Sequence, residues 1–353
     1  MKSIATIKVG SLKDPDPEKR GKVAVREIPV PEVGDEDVKI KVAYCSICGS
    51  DPHVIGGIFG WTPPYGLGHE VSGGIVELGK KAAENGRLKV GDRVAGNFLH
   101  FCGKCYYCQN GQQQFCENIP EGNAGMAEYT VWHESQVYKL PDEISLRKGC
   151  LLEPLSIAVR IADKINMKVG QRIAINGSGP IGLLALQVLK MYGATSLTVF
   201  EPIEERRNVA LEFGADYVVD PIANDIAVKT AEITGGRGYD VVIDASGATK
   251  AVAALPKIAA KGGTVLYAGM YPNTFEMPLN LYQYCYMNEL TITGFYVSPY
   301  CYPRAVQLLP KMKLDKFIEK SFPLDQPEAA FEAQMSAKYL KVLIECNHDL
   351  ADL

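Results

Sequence analysis

The chain has 353 residues, 47% hydrophobic and 22% charged, with a formal net charge of −4. This composition is typical of a globular protein with more than one domain, and it gives no electrostatic reason to expect a nucleic-acid partner. No apolar run reaches membrane-spanning length, and the N-terminal segment lacks the cleavage site of a signal peptide. We therefore expect a cytoplasmic protein.

The first 150 residues are rich in glycine, proline and short β-branched runs, such as VKIKVAYC, EVSGGIVELG and GDRVAGNF. Runs of this length bounded by turn residues indicate short strands. The segment therefore predicts an all-β unit.

The sequence pattern changes at about residue 155, where strand-like and helix-like segments begin to alternate. This alternation predicts an α/β unit with a doubly wound parallel sheet. The predicted strands are 172–176, 197–200, 217–219, 241–245, 264–268 and 291–296, and the predicted helices are 181–192, 204–213, 225–234 and 252–258. A helix at 303–311 and a late strand, KVLIEC, complete the pattern.

Four cysteines stand close together as C-x2-C-x2-C-x7-C in FCGKCYYCQNGQQQFC, namely Cys102, Cys105, Cys108 and Cys116. Two-residue gaps let successive thiolates turn back onto one ion, and four thiolates close a tetrahedral Zn²⁺ site. A disulfide pair is the alternative, which a cytosolic setting disfavours. The segment predicts a structural zinc, because such a site has no vacancy for substrate.

A second motif, NGSGPIG, carries Gly177, Gly179 and Gly182 as G-x-G-x-x-G, with Pro180 and Ile181 opening a predicted helix. A strand before the glycines and a helix after them is the context of a dinucleotide pyrophosphate site.

The next predicted strand ends at Glu201, whose carboxylate could accept both ribose hydroxyls and favour NAD over NADP. Arg206 and Arg207 complicate this preference, because a guanidinium could pair with a 2′-phosphate.

A further metal constellation precedes the four-cysteine segment. Cys48 lies in CSICGSDPH and His69 in GLGHEVSGG, and a carboxylate could complete a three-ligand set. Three protein ligands plus water form the open arrangement of a catalytic zinc. Glu153 in LLEPLS is available just before the nucleotide-binding unit.

With these motifs the chain resembles the zinc-dependent medium-chain dehydrogenase/reductase family, and within it the sorbitol/polyol, butanediol and threonine dehydrogenase branch. The resemblance covers essentially the whole chain and rests on ICGSDPH, GLGHEVSGG, the four-cysteine segment, LEPLS, NGSGPIG and KVLIE. It implies a GroES-like β-rich catalytic domain over 1–154 and 295–353, with the structural zinc lobe at about 98–118. A Rossmann NAD-binding domain over 155–294 is implied between its two parts.

The resemblance also implies roles for single residues. Cys48 and His69 match catalytic zinc ligands, and Glu153 matches a glutamate of polyol-type members. Glu70 matches a residue that replaces that glutamate in the zinc shell of some relatives, so the direct third ligand stays open between Glu70 and Glu153.

Three neighbours of Cys48 receive roles in the same way. Asp51 matches a carboxylate that orients the zinc histidine, Ser50 the hydroxyl that contacts the substrate oxygen, and His53 the outer end of a proton relay. Pro52 departs from the apolar residue usual between them, which puts the role of His53 in doubt.

The implied activity is the reversible oxidation of a secondary alcohol in a polyol, cyclitol, sugar alcohol or vicinal diol, with NAD and two zinc ions per chain. A small-molecule substrate and a homodimer or homotetramer, paired through the strand near 291–297, are the implied partners. The alternatives are an L-threonine 3-dehydrogenase, a catalytically silent protein that binds NAD and zinc, and a zinc-independent quinone reductase. Glu153 argues against the first, because the threonine branch tends to have aspartate there, and the cysteine, histidine and glutamate set argues against the other two.

Overall fold

The computed structural model describes residues 1–120 and 124–350 and forms two compact units. Unit one comprises Met1–Glu153 with Pro299–Leu353, and unit two is Pro154–Ser298. Among the described residues, no helix has the length and apolar character needed to cross a membrane.

The N-terminal part of unit one consists mainly of short strands, as its turn-rich sequence predicts, but the expectation of an all-β unit is wrong, because four short helices lie among these strands. Its strands are β1 Lys2–Lys8, β2 Lys22–Glu27, β3 Asp37–Ser46, β4 Tyr65–Gly66, β5 Glu70–Leu78, β6 Arg93–Gly96, β7 Tyr129–His133 and β8 Val137–Lys139. Its helices are α1 Asp51–Ile55, α2 Lys80–Asn85, α3 Tyr106–Gln109 and α4 Leu146–Gly149.

Unit two alternates strands with helices. Its helices are α5 Leu152–Lys164, which begins at the last residues of unit one, α6 Pro180–Met191, α7 Glu204–Glu212, α8 Ile226–Thr234 and α9 Thr249–Val252. Its strands are β9 Arg172–Asn176, β10 Ser196–Phe200, β11 Tyr217–Val219, β12 Tyr239–Asp244, β13 Ala259–Tyr267 and β14 Thr291–Gly294. A π-helical segment spans Tyr282–Met287.

The chain then returns to unit one with α10 Tyr302–Leu308, β15 Lys320–Pro323, α11 Pro327–Met335 and β16 Val342–Glu345. Single 3₁₀ turns lie at Gln113–Phe115, Glu134–Gln136, Leu255–Lys257, Leu309–Lys311, Asp315–Phe317 and His348–Leu350.

Strand β3 organises the larger sheet of unit one, which has the order β15-β16-β3-β5-β6-β8, with β7 also paired to β3. A side chain at Gly73 would place its Cβ 2.1 Å from the Lys41 carbonyl, so glycine allows β5 to approach β3. In this register Ser46 lies opposite both Glu70 and Leu343. The end of β3, the start of β5 and strand β16 therefore meet at one place.

The sheet of unit two is parallel throughout, with the order β11-β10-β9-β12-β13-β14. This is the strand order of a doubly wound dinucleotide-binding sheet, whose switch point lies between β9 and β12. The predicted fold class is confirmed. The predicted helix over 252–258 is wrong, because α9 ends at Val252 and a 3₁₀ turn over Leu255–Lys257 follows. Pro256 within that turn has no N–H to donate to a continuing helix.

Candidate active site

The first metal-ligating group forms where β3 ends. The buried Asp51 carboxylate accepts a 2.8 Å hydrogen bond from the Cys48 backbone N–H, and its other oxygen lies 3.6 Å from Nδ1 of His69. One carboxylate therefore fixes the cysteine loop and faces the histidine ring. This is the arrangement in which an outer carboxylate holds a ligating imidazole in one orientation.

His69 reaches the group from the residue before β5. Gly68 before it has φ +92°, and a Cβ there would lie 2.7 Å from Sγ of Cys45, so the turn requires glycine. The His69 ring packs against Phe98, with ring centroids 4.8 Å apart. The imidazole thus has a ring contact with Phe98 as well as the contact with Asp51.

Cys48, His69 and Glu70 form a set whose ligand atoms all lie within 4.8 Å of one another. A thiolate, an imidazole and a carboxylate are the donor types of a catalytic zinc centre. Glu70 is fully buried, and its carboxylate contacts the Ser46 hydroxyl and lies 2.5 Å, at each oxygen, from Nζ of Lys341. The carboxylate of this three-residue set is therefore already paired with an ammonium group.

Glu153 lies in the first turn of α5, is 6% exposed, and acts on the same group through its charge. Burial raises the pKa of Glu153 to about 7. Burial lowers the pKa of His69, but the Cys48 thiolate, Asp51 and Glu153 raise it well above its usual value. The negative groups around His69 favour positive charge at this site, which fits a dication.

The proposed proton-relay residues lie on α1. Ser50 is the half-buried N-cap residue, and His53 is a half-buried residue inside the helix. Pro52 stands in the first turn, where a helix N–H has no intrahelical acceptor, so its missing donor costs nothing. The departure at Pro52 therefore does not distort the segment that carries His53.

The four cysteines of the second group, Cys102, Cys105, Cys108 and Cys116, have their sulfur atoms within 4.8 Å of one another. All ten cysteines of the chain are free thiols. The Cys102 and Asn118 backbone N–H groups each lie 3.4 Å from Sγ of Cys116. Backbone donors, chiefly at Lys104, lower the pKa of Cys102 to about 6, whereas burial raises the pKa of Cys108 to about 12, so the group favours the thiolate at Cys102 and the thiol at Cys108.

The glycine-rich turn lies between β9 and α6. Gly177 has φ +95°, and a Cβ there would lie 2.8 Å from Cβ of Ser246. A Cβ at Gly182 would lie 2.0 Å from the Gly177 carbonyl oxygen, so this glycine permits close helix–strand packing. A Cβ at Gly179 meets nothing within 4 Å. Open space beside Gly179 at the N-terminus of α6, before Pro180 and Ile181, fits the approach of a pyrophosphate.

Glu201 directly follows the last residue of β10, and its carboxylate is turned toward the glycine-rich turn. It accepts hydrogen bonds from the Ser178 N–H (2.8 Å), the Ser178 hydroxyl (3.0 Å) and the Ile203 N–H (3.0 Å), and it is 4% exposed. Arg207 donates to the Glu201 and Pro202 carbonyls, while Arg206 is half-buried on α7. Both oxygens of this carboxylate are thus engaged by hydrogen bonds from its own chain.

Lys341 is the residue of this site that the sequence pattern did not identify. It is 3% exposed, and besides Glu70 it donates to the Ile47 carbonyl at 3.2 Å. Burial disfavours its charged form, but Glu70 and Cys48 raise the pKa of Lys341 and keep the ammonium. The sequence did contain a signal for this residue. Lys341 stands directly before the apolar strand VLIE, and a lysine buried with such a strand needs an acidic partner.

Comparison with known proteins matches two parts of the chain. Residues 34–142 match the alcohol dehydrogenase GroES-like domain, and residues 180–311 match the zinc-binding dehydrogenase domain. The chain belongs to the zinc-dependent medium-chain dehydrogenases. It is an oxidoreductase of their polyol branch, with a nicotinamide cofactor and zinc.

Individual relatives span nearly the full length of the chain. A D-arabitol-phosphate dehydrogenase of Enterococcus avium is 36% identical, over 92% of this chain and 94% of that protein. An L-threonine 3-dehydrogenase of Pyrococcus furiosus is 35% identical, over 90% and 93%. The solved structure of a zinc-binding dehydrogenase of Sinorhizobium meliloti bound to NADP has a TM-score of 0.86 and 30% identity, covering 97% of this chain and 99% of that one.

Proposed function

We propose that the enzyme reversibly oxidises a secondary alcohol flanked by other hydroxyls to a ketone, with NAD as the hydride acceptor. The convergence of Cys48, His69 and Glu70 within 4.8 Å, beside the buried Glu153, carries this proposal. Three donor types of a catalytic zinc, with a further carboxylate at hand, suit an alcohol substrate better than a purely structural ion.

Cys48 and His69 would hold the catalytic zinc, with Glu70 or Glu153 as the third protein ligand. Bound zinc supplies a Lewis acid for the alcohol oxygen, and bound nicotinamide supplies the hydride acceptor. The Lys341 ammonium favours Glu153 for the third position, because it competes for both oxygens of Glu70. Asp51 would orient His69 and the loop of Cys48.

The alcohol proton must leave as the carbonyl forms. Ser50 at the N-cap of α1 would accept this proton, and His53 three residues later would pass it to solvent. Pro52 at the helix start keeps this segment helical, which supports a role for His53 despite the unusual residue beside it.

The other four thiols, Cys102, Cys105, Cys108 and Cys116, would hold a second, structural zinc. Free thiols poised for metal suit a reducing compartment, and we assign the enzyme to the cytoplasm on that ground.

NAD is the proposed cofactor. Gly177, Gly179 and Gly182, with Pro180 and Ile181, would receive the pyrophosphate at the start of α6. A carboxylate at Glu201 disfavours a 2′-phosphate nearby. Arg206 is the residue whose charge opposes this preference.

A homo-oligomer is also proposed. Strand β14 is an edge strand of the unit-two sheet, and an unpaired edge is a template for pairing with a second copy. Large side chains exposed near it, Leu281, Tyr282 and Tyr286, support a protein contact there. Light scattering would distinguish a dimer from a tetramer.

A β-hydroxy amino acid is the second candidate substrate, because a threonine dehydrogenase is nearly as similar as the arabitol-phosphate enzyme. The test is a panel of free and phosphorylated pentitols, sorbitol, inositol, butanediol and L-threonine, each with NAD and with NADP, followed by nicotinamide absorbance. The proposal predicts turnover with a polyol or diol that falls on chelation and returns with zinc. Turnover with L-threonine alone, or activity unaffected by chelation, would contradict it.

A further inference from the structure

A buried carboxylate with several donors lies at the switch point of the unit-two sheet. Asp244, at the end of β12, is fully buried. It accepts hydrogen bonds from Asn176 Nδ2 (2.7 Å), the Ser246 hydroxyl (2.7 Å), the Gly247 N–H (3.1 Å) and the Tyr271 hydroxyl. These donors come from the ends of β9 and β12 and from the segment after β13, so Asp244 ties three chain segments together.

The position of Asp244 in the sheet indicates which half of the dinucleotide would lie beside it. In a doubly wound sheet the ligand crosses the carboxyl ends of the strands at the switch point, and each half of the sheet takes one nucleotide. Glu201, directly after β10, marks the adenosine half. The segments after β12 and β13 lie on the other side of β9 and therefore belong to the nicotinamide half.

The segment 268–271 is packed tightly against Asp244. A Cβ at Gly269 would lie 2.6 Å from Oδ2 of Asp244, and a Cβ at Gly247 would lie 2.8 Å from the Met270 carbonyl oxygen. Such close approach leaves little freedom to a segment that is fixed at both ends. The Tyr271 hydroxyl is the side-chain contact that joins the far end of this segment to Asp244.

The Tyr271 hydroxyl is a proton donor across the ordinary pH range. Burial and the Asp244 carboxylate both raise the pKa of Tyr271 above its usual value. The Tyr271 ring also stacks on Phe275 at 5.9 Å and meets Tyr267 edge-on at 6.4 Å. Removing the hydroxyl alone would therefore leave the ring packing in place.

We infer that Tyr271 is a positioning residue for the nicotinamide half of the cofactor, and that its hydrogen bond to Asp244 orders the segment 268–271 on which that half rests. The inference rests on the proposed NAD-dependent function. The inference makes no use of the zinc site. Binding of the adenosine half of the cofactor should not depend on the Tyr271 hydroxyl.

The decisive experiment compares two ligands that differ by the nicotinamide group. We would measure the Kd of NADH and of ADP-ribose by calorimetry for the wild type, Tyr271→Phe and the matched control Tyr267→Phe, whose hydroxyl contacts the Val252 carbonyl at 3.3 Å instead. Loss of a hydrogen bond to a charged group predicts that Tyr271→Phe weakens NADH about tenfold. ADP-ribose should bind unchanged, and Tyr267→Phe should bind both ligands as the wild type does.

The emission of bound NADH gives a second readout, because it reports the surroundings of the nicotinamide ring. It should shift toward that of free NADH in Tyr271→Phe and stay unchanged in Tyr267→Phe. Gly269→Ala, which displaces the same segment, should reproduce the selective loss of NADH.

Other outcomes overturn the inference. Equal weakening of both ligands would assign Tyr271 a general structural role, and unchanged NADH binding and emission would leave it no role in positioning. A wild-type protein that binds neither NADH nor ADP-ribose would overturn the proposed function itself. The two outcomes named before it would overturn only the role of Tyr271 and would leave the proposed function intact.

Discussion

Nζ of Lys341 lies 2.5 Å from both carboxylate oxygens of Glu70, and neither side chain is more than 3% exposed. The register that sets Ser46 opposite Glu70 and Leu343 brings this pair to the end of β3, two residues before Cys48. A cation here offsets one of the carboxylates around the candidate zinc centre. The pair should therefore affect both the stability of unit one and the carboxylate that ligates the metal.

Replacement of Lys341 by methionine should destabilise the protein strongly. Removing one partner of a buried ion pair leaves an uncompensated charge, at a cost of about 3–5 kcal/mol. Denaturant unfolding of the metal-free protein would measure this cost. The matched control is Lys41→Met, which removes an exposed pair with Asp349 and should cost less than ~1 kcal/mol. Equal costs for the two variants would show that the Glu70 pair is not a buried ion pair in solution.

Replacement of Cys48 by serine, or of His69 by alanine, should abolish turnover and leave NADH binding intact. A Lewis acid lowers the activation free energy by several kcal/mol, so its loss should lower the rate by about a thousandfold or more. Metal analysis should show that the zinc content falls, because zinc then remains at the four-cysteine group alone. Cys285→Ser, at an exposed cysteine outside both groups, should change neither quantity. A Cys48→Ser enzyme with near-wild-type rate would contradict the zinc mechanism.

Cys105→Ala should act on stability more than on chemistry. It removes one of four ligands from a closed site, whose metal-binding free energy contributes to folding. We expect a fall of at least ~5 °C in Tm and a loss of one zinc, with the remaining folded enzyme still active. Lys104→Ala, at an exposed residue beside Cys105, is the control and should leave both quantities unchanged. A variant with unchanged Tm would mean that the four sulfur atoms do not hold a structural ion.

Much of the fold could be predicted from local sequence patterns. The glycine-rich turn between β9 and α6 has a fixed spacing, and the four cysteines lie within one short segment, so each is a local signal. The parallel, doubly wound sheet of unit two likewise follows from the alternation of strands and helices. These features depend on neighbours in sequence.

Lys341 and Asp244 could not be assigned in this way. Lys341 contacts Glu70 across 271 residues of chain, and Asp244 receives the Asn176 amide across 68. Such contacts depend on strand register, which a single sequence does not specify. The same reason explains Glu201, whose position at the strand end was predicted but whose hydrogen bonds to Ser178 were not.

Glu201→Ala should lower the preference for NAD over NADP. The carboxylate disfavours a 2′-phosphate, and it also holds Ser178 of the glycine-rich turn through two hydrogen bonds. We therefore expect kcat/KM with NAD to fall at least about tenfold, from the loss of hydrogen bonds to a charged group, while kcat/KM with NADP falls less or rises. Glu204→Ala, an exposed glutamate in the first turn of α7, is the matched control and should leave the ratio unchanged. If the ratio in Glu201→Ala equalled that of the wild type, cofactor selection would belong to another residue. Arg206→Ala would then be the next variant to measure, because a guanidinium can pair with a 2′-phosphate.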